Sequence, residues 1–275
     1  MSRILTYSEK DTWVHRLSGV TKLLFFLLWS VAGMLTYDTR VLAVMLVISI
    51  VLYRMSRIEW KQVGTVFKFI LLFLSLNLLT IFLISPYQGT QIYGTRSEIC
   101  QLFWHYALTK EQLFYEMNIM LKYFTVIPVV LIFIVTTNPS EFAASLNRIG
   151  ISYHAGYAVA IALRYIPDVQ ADFVKIKHAQ EARGIEMSAK ANLFTRLKNM
   201  STIIFPLIFS SMYRIDVVSN AMQLRGFGKN KKRTWYSGKP LAKMDYICIG
   251  FVVVFCTAAL VITFWNGNRF YNPFQ

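Results

Sequence analysis

Apolar residues gather in five runs along the chain, at 20–35, 41–53, 66–85, 120–137 and 246–265. A helix needs about 20 consecutive apolar residues to cross the hydrocarbon of a bilayer, so these runs predict about five transmembrane helices. The first two are short and are separated only by the turn-like Tyr37-Asp38-Thr39-Arg40. They read as a tight helical hairpin extending into its flanks or, as the alternative, a re-entrant pair. Lys and Arg collect on the cytoplasmic side of short loops. Lys10 and Arg16 precede the first run with Lys22 at its very start, and Arg54, Arg57 and Lys61 sit between the second and third. Both places are expected inside. The N-terminus is then inside and the C-terminus outside, with 86–118 as the sizeable outer loop. The first apolar run follows about 20 mostly polar residues without a small-x-small cleavage site, so no signal peptide is expected.

Beyond Pro139 the period changes. Leu193, Leu197, Met200, Ile204, Leu207, Ser211, Ile215, Val218 and Met222 recur in steps of four and three, which is one face of a helix. That helix is about 50 Å long, and Lys198, Arg214 and Asp216 bracket its most apolar part, so an in-plane or oblique helix is expected rather than a sixth span. The preceding segment places Val169, Phe173, Ile176, Ala179 and Ala182 at helical spacing. Pro167 and Pro206 interrupt these two helices and are expected to bend or divide them. Upstream, Thr137-Asn138-Pro139-Ser140-Glu141 reads as a capped start for a short helix closing at Gly150. Both long helices end in the same way, in Glu181-Ala182-Arg183-Gly184-Ile185 and Gln223-Leu224-Arg225-Gly226-Phe227. Glycine takes the left-handed conformation that stops a helix, and the arginine before it projects from the last turn with a planar fork for carboxylates and carbonyls. One such end could dock on a protein surface and two could grip a dimer, although ordinary capping also accounts for a single Arg-Gly.

Composition completes the picture. Of the 275 residues 55% are hydrophobic, which with the spanning runs excludes an ordinary soluble domain. The net charge is +15, and segment 138–244 carries 16 Lys and Arg against 6 Asp and Glu, which puts that segment inside. Three regions follow: 1–137 with four transmembrane helices, 138–244 with the Arg-Gly ends, and 245–275 with the last span and an outside tail. The basic run Lys229-Asn230-Lys231-Lys232-Arg233 precedes a span and reads as a topology-fixing, headgroup-binding cluster rather than a nucleic-acid site. Cys100, Cys248 and Cys256, and the scattered His15, His105, His154 and His178, support neither a disulfide framework nor a metal site. No Gly-x4-Gly-Lys-Ser/Thr occurs, so no P-loop for ATP is expected in this chain. Two other function classes remain in view. Asp168 and Asp172 form a D-x3-D on one helix face, as in Mg-dependent enzymes of prenyl diphosphates, but a second aspartate pair is missing. A self-sufficient transporter would show internal repeats or polar midplane residues, and only Ser75 and Asn77 lie deep in the third run.

The anchors His15-Arg16-Leu17 with Thr21-Lys22, then Leu163-Arg164-Tyr165-Ile166-Pro167, Ala179-Gln180-Glu181-Ala182-Arg183-Gly184 and Ala221-Met222-Gln223-Leu224-Arg225-Gly226-Phe227, run through most of the chain. Together they resemble the EcfT/CbiQ-like transmembrane T component of energy-coupling factor transporters, the ABC-related importers of vitamins and metal ions. The resemblance implies an all-α polytopic protein of a prokaryotic cell membrane, itself non-catalytic and without a cofactor. It implies two crossing cytoplasmic coupling helices whose ends, Ala182-Arg183-Gly184 and Leu224-Arg225-Gly226, each insert into one of two ATPase subunits that bind ATP and Mg. It further implies that apolar positions including Leu193, Leu197, Ile204 and Ile215 hold a small membrane subunit that binds the substrate. Leu224 stands where the second motif more typically has Ala, and Gly19-Val20 replaces a Pro-containing stretch.

Overall fold

The computed structural model describes residues 10–103, 106–185, 193–229, 234–236, 238–265 and 269–274. They form ten helices and one β-hairpin: α1 (Trp13–Arg16), α2 (Gly19–Leu35), α3 (Thr39–Met55), α4 (Trp60–Ile84), α5 (Gln88–Tyr93), β1 (Glu98–Phe103), β2 (Tyr106–Thr109), α6 (Lys110–Thr136), α7 (Pro139–Arg148), α8 (Tyr153–Ala182), α9 (Leu193–Leu224) and α10 (Lys243–Phe264). The chain divides into two compact units, residues 1–138 with 239–275, and residues 139–238.

Each of the five apolar runs becomes a helix. By length and composition α4, α6 and α10 can cross a membrane, and so can Lys198–Leu224 within α9, the stretch that the charged residues Arg214 and Asp216 had argued against. The protein is thus an all-α polytopic membrane protein. Helices α2 and α3 have 17 residues each, about 25 Å of helix, and follow one another across three residues, as a hairpin requires. Side-chain caps set where they begin. Ser18 accepts from the Thr21 N–H and Asp38 from the Arg40 N–H, leaving one fewer orphan donor at each start. Helices α8 and α9 each run on through their proline and are not divided by it. The segment read as a plain outer loop holds α5 and the antiparallel β1–β2 hairpin, with Glu98 opposite Thr109 and Phe103 opposite Tyr106.

In the first unit α6 is the central post, with α2, α3 and α4 against it and α10 against α2. Trp29 is fully buried among Ala32, Val41, Met45, Val129, Val252 and Ala259, and stacks between Phe25 and Phe255 at 5.1 and 5.2 Å. Its indole N–H donates to Ser49 Oγ at 3.0 Å, and Ser49 donates on to the Thr125 carbonyl at 2.8 Å, so the largest core side chain carries no orphan donor. Helix α4 by contrast exposes Phe69, Leu72, Phe73, Leu76 and Leu79. A 25-residue apolar helix so exposed needs lipid or a protein partner around it.

One end of this unit is closed by a polar knot around Asp245, which is 2% exposed. Its Oδ1 accepts from the Ser18 N–H at 2.8 Å and the Thr21 hydroxyl at 2.7 Å, and its Oδ2 from the Ala242 N–H at 2.8 Å. Beside it the buried Lys22 donates to the carbonyls of Thr136 at 2.8 Å and His15 at 3.3 Å. The motif His15-Arg16-Leu17 with Thr21-Lys22 therefore fastens α2 to the start of α10 and the end of α6, which is a structural role. The opposite end is held by the tail. The Tyr37 N–H donates to the Arg269 carbonyl at 3.2 Å, and Tyr93, Phe114, Phe270 and Phe274 pack edge to face. Glu111 is fully buried and accepts from Thr95 and the Ser97 N–H. Gly89 lies so close that a Cβ there would meet the Glu111 carbonyl at 2.4 Å, so no other residue fits.

Asp245→Ala leaves three donors unsatisfied and is expected to cost about 3 kcal/mol, lowering the thermal unfolding midpoint in detergent by several degrees. Asp11→Ala removes only an ion pair to Arg16 in which both side chains are largely exposed, and should leave that midpoint unchanged.

Candidate functional site: two Arg-Gly helix ends

In the second unit the two Arg-Gly ends have the same backbone construction. At the end of α8 the Gly184 N–H donates to the Glu181 carbonyl at 3.0 Å and the Ile185 N–H to the Gln180 carbonyl at 3.1 Å. At the end of α9 the Gly226 N–H donates to Gln223 at 2.9 Å and the Phe227 N–H to Met222 at 2.9 Å. Each pair of bonds is a Schellman motif, with the glycine in the left-handed region at φ +84° and +68°. The same motif closes α7 at Gly150, with the Ile151 N–H on the Leu146 carbonyl and φ +104°. The cap is thus a general device of this unit, and what sets the two long helices apart is the arginine that the cap presents.

Arg183 and Arg225 are both exposed, and their side chains form no hydrogen bond or ion pair with any described residue. Ala182 is exposed, and Leu224, standing in place of the more typical alanine, is 89% exposed. The glycines leave open space around them, since a Cβ at either would meet nothing within 4 Å.

The two ends lie far apart because α8 and α9 run antiparallel. Gln180 Nε2 donates to the Thr202 carbonyl at 3.2 Å near one end of the pair. Arg214 pairs with Asp172 in the middle, and Phe227 packs on Tyr157 at 4.7 Å and Tyr153 at 5.9 Å at the other end. From Tyr157 to Arg183 the rise of α8 is about 40 Å, which is the separation of the two arginines along the pair. Trp235 completes the aromatic cluster at the Arg225 end and donates to Asn147 Oδ1 at 3.2 Å, tying that end to α7.

The apolar face of α9 divides. Ile203, Leu207, Ser211, Arg214, Val218 and Met222 make the more buried stripe, while Ile204 and Ile215 lie beside it, 43% and 64% exposed. The side chains of Leu193 and Leu197 fall outside the described residues, although both positions belong to α9. Sequence periodicity missed the more exposed stripe opposite, with Phe205, Phe209, Met212 and Tyr213. These residues have the same helical spacing, but Lys198 and Ser201 before them and Asp216 after them interrupt the face, and what could have marked them is the density of aromatics on a face beside charged residues. Asp168 is exposed, whereas Asp172 of the D-x3-D is engaged by Arg214 and by Lys175 at 3.9 Å. Among the described residues no three His, Cys, Asp or Glu side chains cluster as a metal site. In the basic run only Lys229 is described, and it is exposed, while residues 230–233 lie outside the described residues.

The family model of the CbiQ cobalt transport proteins matches residues 10–236. The chain belongs to the CbiQ family. Its curated relatives share the same overall length. The energy-coupling factor transporter transmembrane protein EcfT of Streptococcus thermophilus is 23% identical, covering 84% of this chain and 86% of its own. The proteins of the same description from Staphylococcus aureus and Lactococcus lactis subsp. cremoris are each 23% identical, covering 94% of this chain and 96% of their own. This CbiQ-family chain is therefore an EcfT/CbiQ-like T component, and its similarity to the EcfT proteins extends over most of its length.

Because each glycine is left-handed with free space around it, the cost of a side chain there is backbone strain alone. Gly184→Ala and Gly226→Ala should each cost about 1 kcal/mol, and Gly184→Asn clearly less, since asparagine tolerates this conformation. Thermal unfolding of the four proteins, wild type included, checks the order.

Proposed function

We propose that this T component is the non-catalytic coupling scaffold of an ATP-driven importer of a vitamin or other micronutrient. Arg183 with Ala182 and Gly184 docks on one ABC-type ATPase subunit, and Arg225 with Leu224 and Gly226 on the other. The observation that carries this reading is the pair of identical Schellman ends, about 40 Å apart, each offering an exposed arginine free of ties to the described residues of its own chain. A guanidinium left in that state keeps its fork for carboxylates or carbonyls of a partner, and a symmetric pair of ATPases needs two such ends. Nucleotide and Mg are bound by those partners and not by this chain.

In the same proposal residues 138–244 form the cytoplasmic coupling region of a prokaryotic cell-membrane protein, flanked by the transmembrane regions 1–137 and 245–275, with the N-terminus inside. A separate small membrane subunit binds the substrate and packs on apolar positions of α9, among them Leu193, Leu197, Ile204 and Ile215. The exposure of Ile204 and Ile215 supports that contact, since burying such surface from water favours association by about 25 cal/mol per Å². Hydrolysis in the ATPases, transmitted through the two Arg-Gly ends, releases the cargo inward. The engagement of Asp172 by two cations disfavours the prenyl-diphosphate enzyme, which needs that carboxylate free for Mg.

The test is a detergent pull-down of the wild type and Arg183→Ala/Arg225→Ala, with co-purifying proteins identified by mass spectrometry. The wild type should retain two ABC-type ATPases and a small membrane protein, each single arginine change should weaken ATPase retention, and the double should lose it at least tenfold. Normal assembly and uptake in the double mutant would overturn the docking assignment. Ile204→Glu and Ile215→Glu should instead release the small membrane protein while the ATPases stay. Unchanged retention of that protein removes α9 from the contact.

A further inference from the structure

Asp172 lies ten residues before the end of α8 and Arg214 ten residues before the end of α9. The Arg214 guanidinium donates to Asp172 Oδ2, and the two side chains are 34% and 22% exposed. Among the described residues this is the ion pair that joins α8 to α9; the other pairs on α8 stay within that helix. Since a helix rises a fixed 1.5 Å per residue, the level at which these side chains meet determines where the two ends stand. A slip of one turn would move the Arg183 end by about 5.4 Å relative to the Arg225 end.

The pair also has its replacement partners in place. Lys175 Nζ, one turn along α8 and mostly exposed, is 3.9 Å from Asp172 Oδ1. The Arg214 guanidinium lies over the Tyr165 ring at 5.8 Å. Breaking a partly buried ion pair is expensive when it strands a charge. Here the carboxylate would keep a cation and the guanidinium an aromatic face, so separation strands neither. Of the other ties among the described residues, the Gln180 hydrogen bond to the Thr202 carbonyl is neutral, and the contacts of Phe227 with Tyr157 and Tyr153 are apolar and non-directional, so neither fixes the level as the charged pair does.

We propose that Asp172 and Arg214 form a releasable latch that sets the register of α8 against α9, and with it the span between the two Arg-Gly ends, so that both residues position the docking arginines rather than touch a partner. The proposal rests on the docking reading above and adds that register between the helices changes during transport.

The experiment uses the full chain in its transporter complex, with native cysteines replaced and spin labels at Glu181→Cys and Gln223→Cys. Wild type should give one narrow distance distribution. Asp172→Asn and Arg214→Gln should each broaden it or shift it by about one turn, and lower uptake at least tenfold while ATP hydrolysis continues. The double change should do no more than either single change, because both remove the same pair. An unshifted distribution in the single variants, or additive effects in the double, overturns the latch. In an unlabelled chain a reducible bifunctional thiol reagent long enough to replace the arginine side chain bridges Asp172→Cys/Arg214→Cys and holds the same level covalently. Uptake should fall when this pair is bridged and return on reduction, whereas full uptake in the form shown by mass spectrometry to be bridged indicates a permanent strut and overturns release. The two readings fail separately: the label distance reports the latch whether or not ATPases bind, while ATPase retention by the Arg183 and Arg225 variants reports docking alone.

Discussion

Inside a bilayer no water is available to satisfy a stray polar group, and the knot around Asp245 shows how the chain meets that constraint. A carboxylate at the start of the last helix takes every hydrogen bond it needs from the cap of the second helix, 227 residues away in sequence, and from its own first turn. Lys22 does the same one residue on, through carbonyls at the end of α6 and the end of α1. The first and last spans are thereby joined at their polar margin. Trp29, Ser49 and Thr125 then continue a satisfied path into the apolar core. Without that fastening α10 would meet α2 only through non-directional apolar contacts, which fix neither its register nor its rotation.

The second unit answers a different demand. Its two long helices expose many large apolar side chains, among them Ile166, Val174, Phe205, Phe209 and Tyr213, and their ends carry cations untied to any described residue. Specific interactions are spent on geometry: Schellman bonds stop each helix at a defined residue, an aromatic cluster braces the Arg225 end on the start of α8, and an ion pair sets the register between the helices. The coupling scaffold proposed above needs rigid elements with defined ends, and a contact between them that can exchange.

Much of this was legible in the sequence. Runs of apolar residues marked the helices of the first unit, because burial in lipid demands continuous apolarity and leaves its trace in one dimension. Left-handed glycine after arginine marked both ends of the long helices, because only local backbone sterics decide such a stop. The hairpin β1–β2 and helix α5 were not legible, since six and four residues of mixed character carry little periodic signal and are held by docking onto the start of α6. Of the bend or division expected at Pro167 and Pro206, division does not occur, because losing one backbone donor does not outweigh the turns on either side.

The amino-acid sequence by itself determined the helices, their caps, the balance of charge and the family, all of which follow from residues close together in the chain. Tertiary structure alone decided which faces are free. The stripe of Ile204, Leu207, Ser211 and Ile215 is continuous in sequence, but α8 takes part of it and leaves Phe205, Phe209 and Tyr213 outward on the other side. It also gave Asp245 and Lys22 structural roles that their composition does not announce, and gave Asp172 to Arg214 rather than to a metal. The physical reason is the same in each case: a polar or apolar side chain acquires its meaning from the partner it meets, and those partners lie tens to hundreds of residues away.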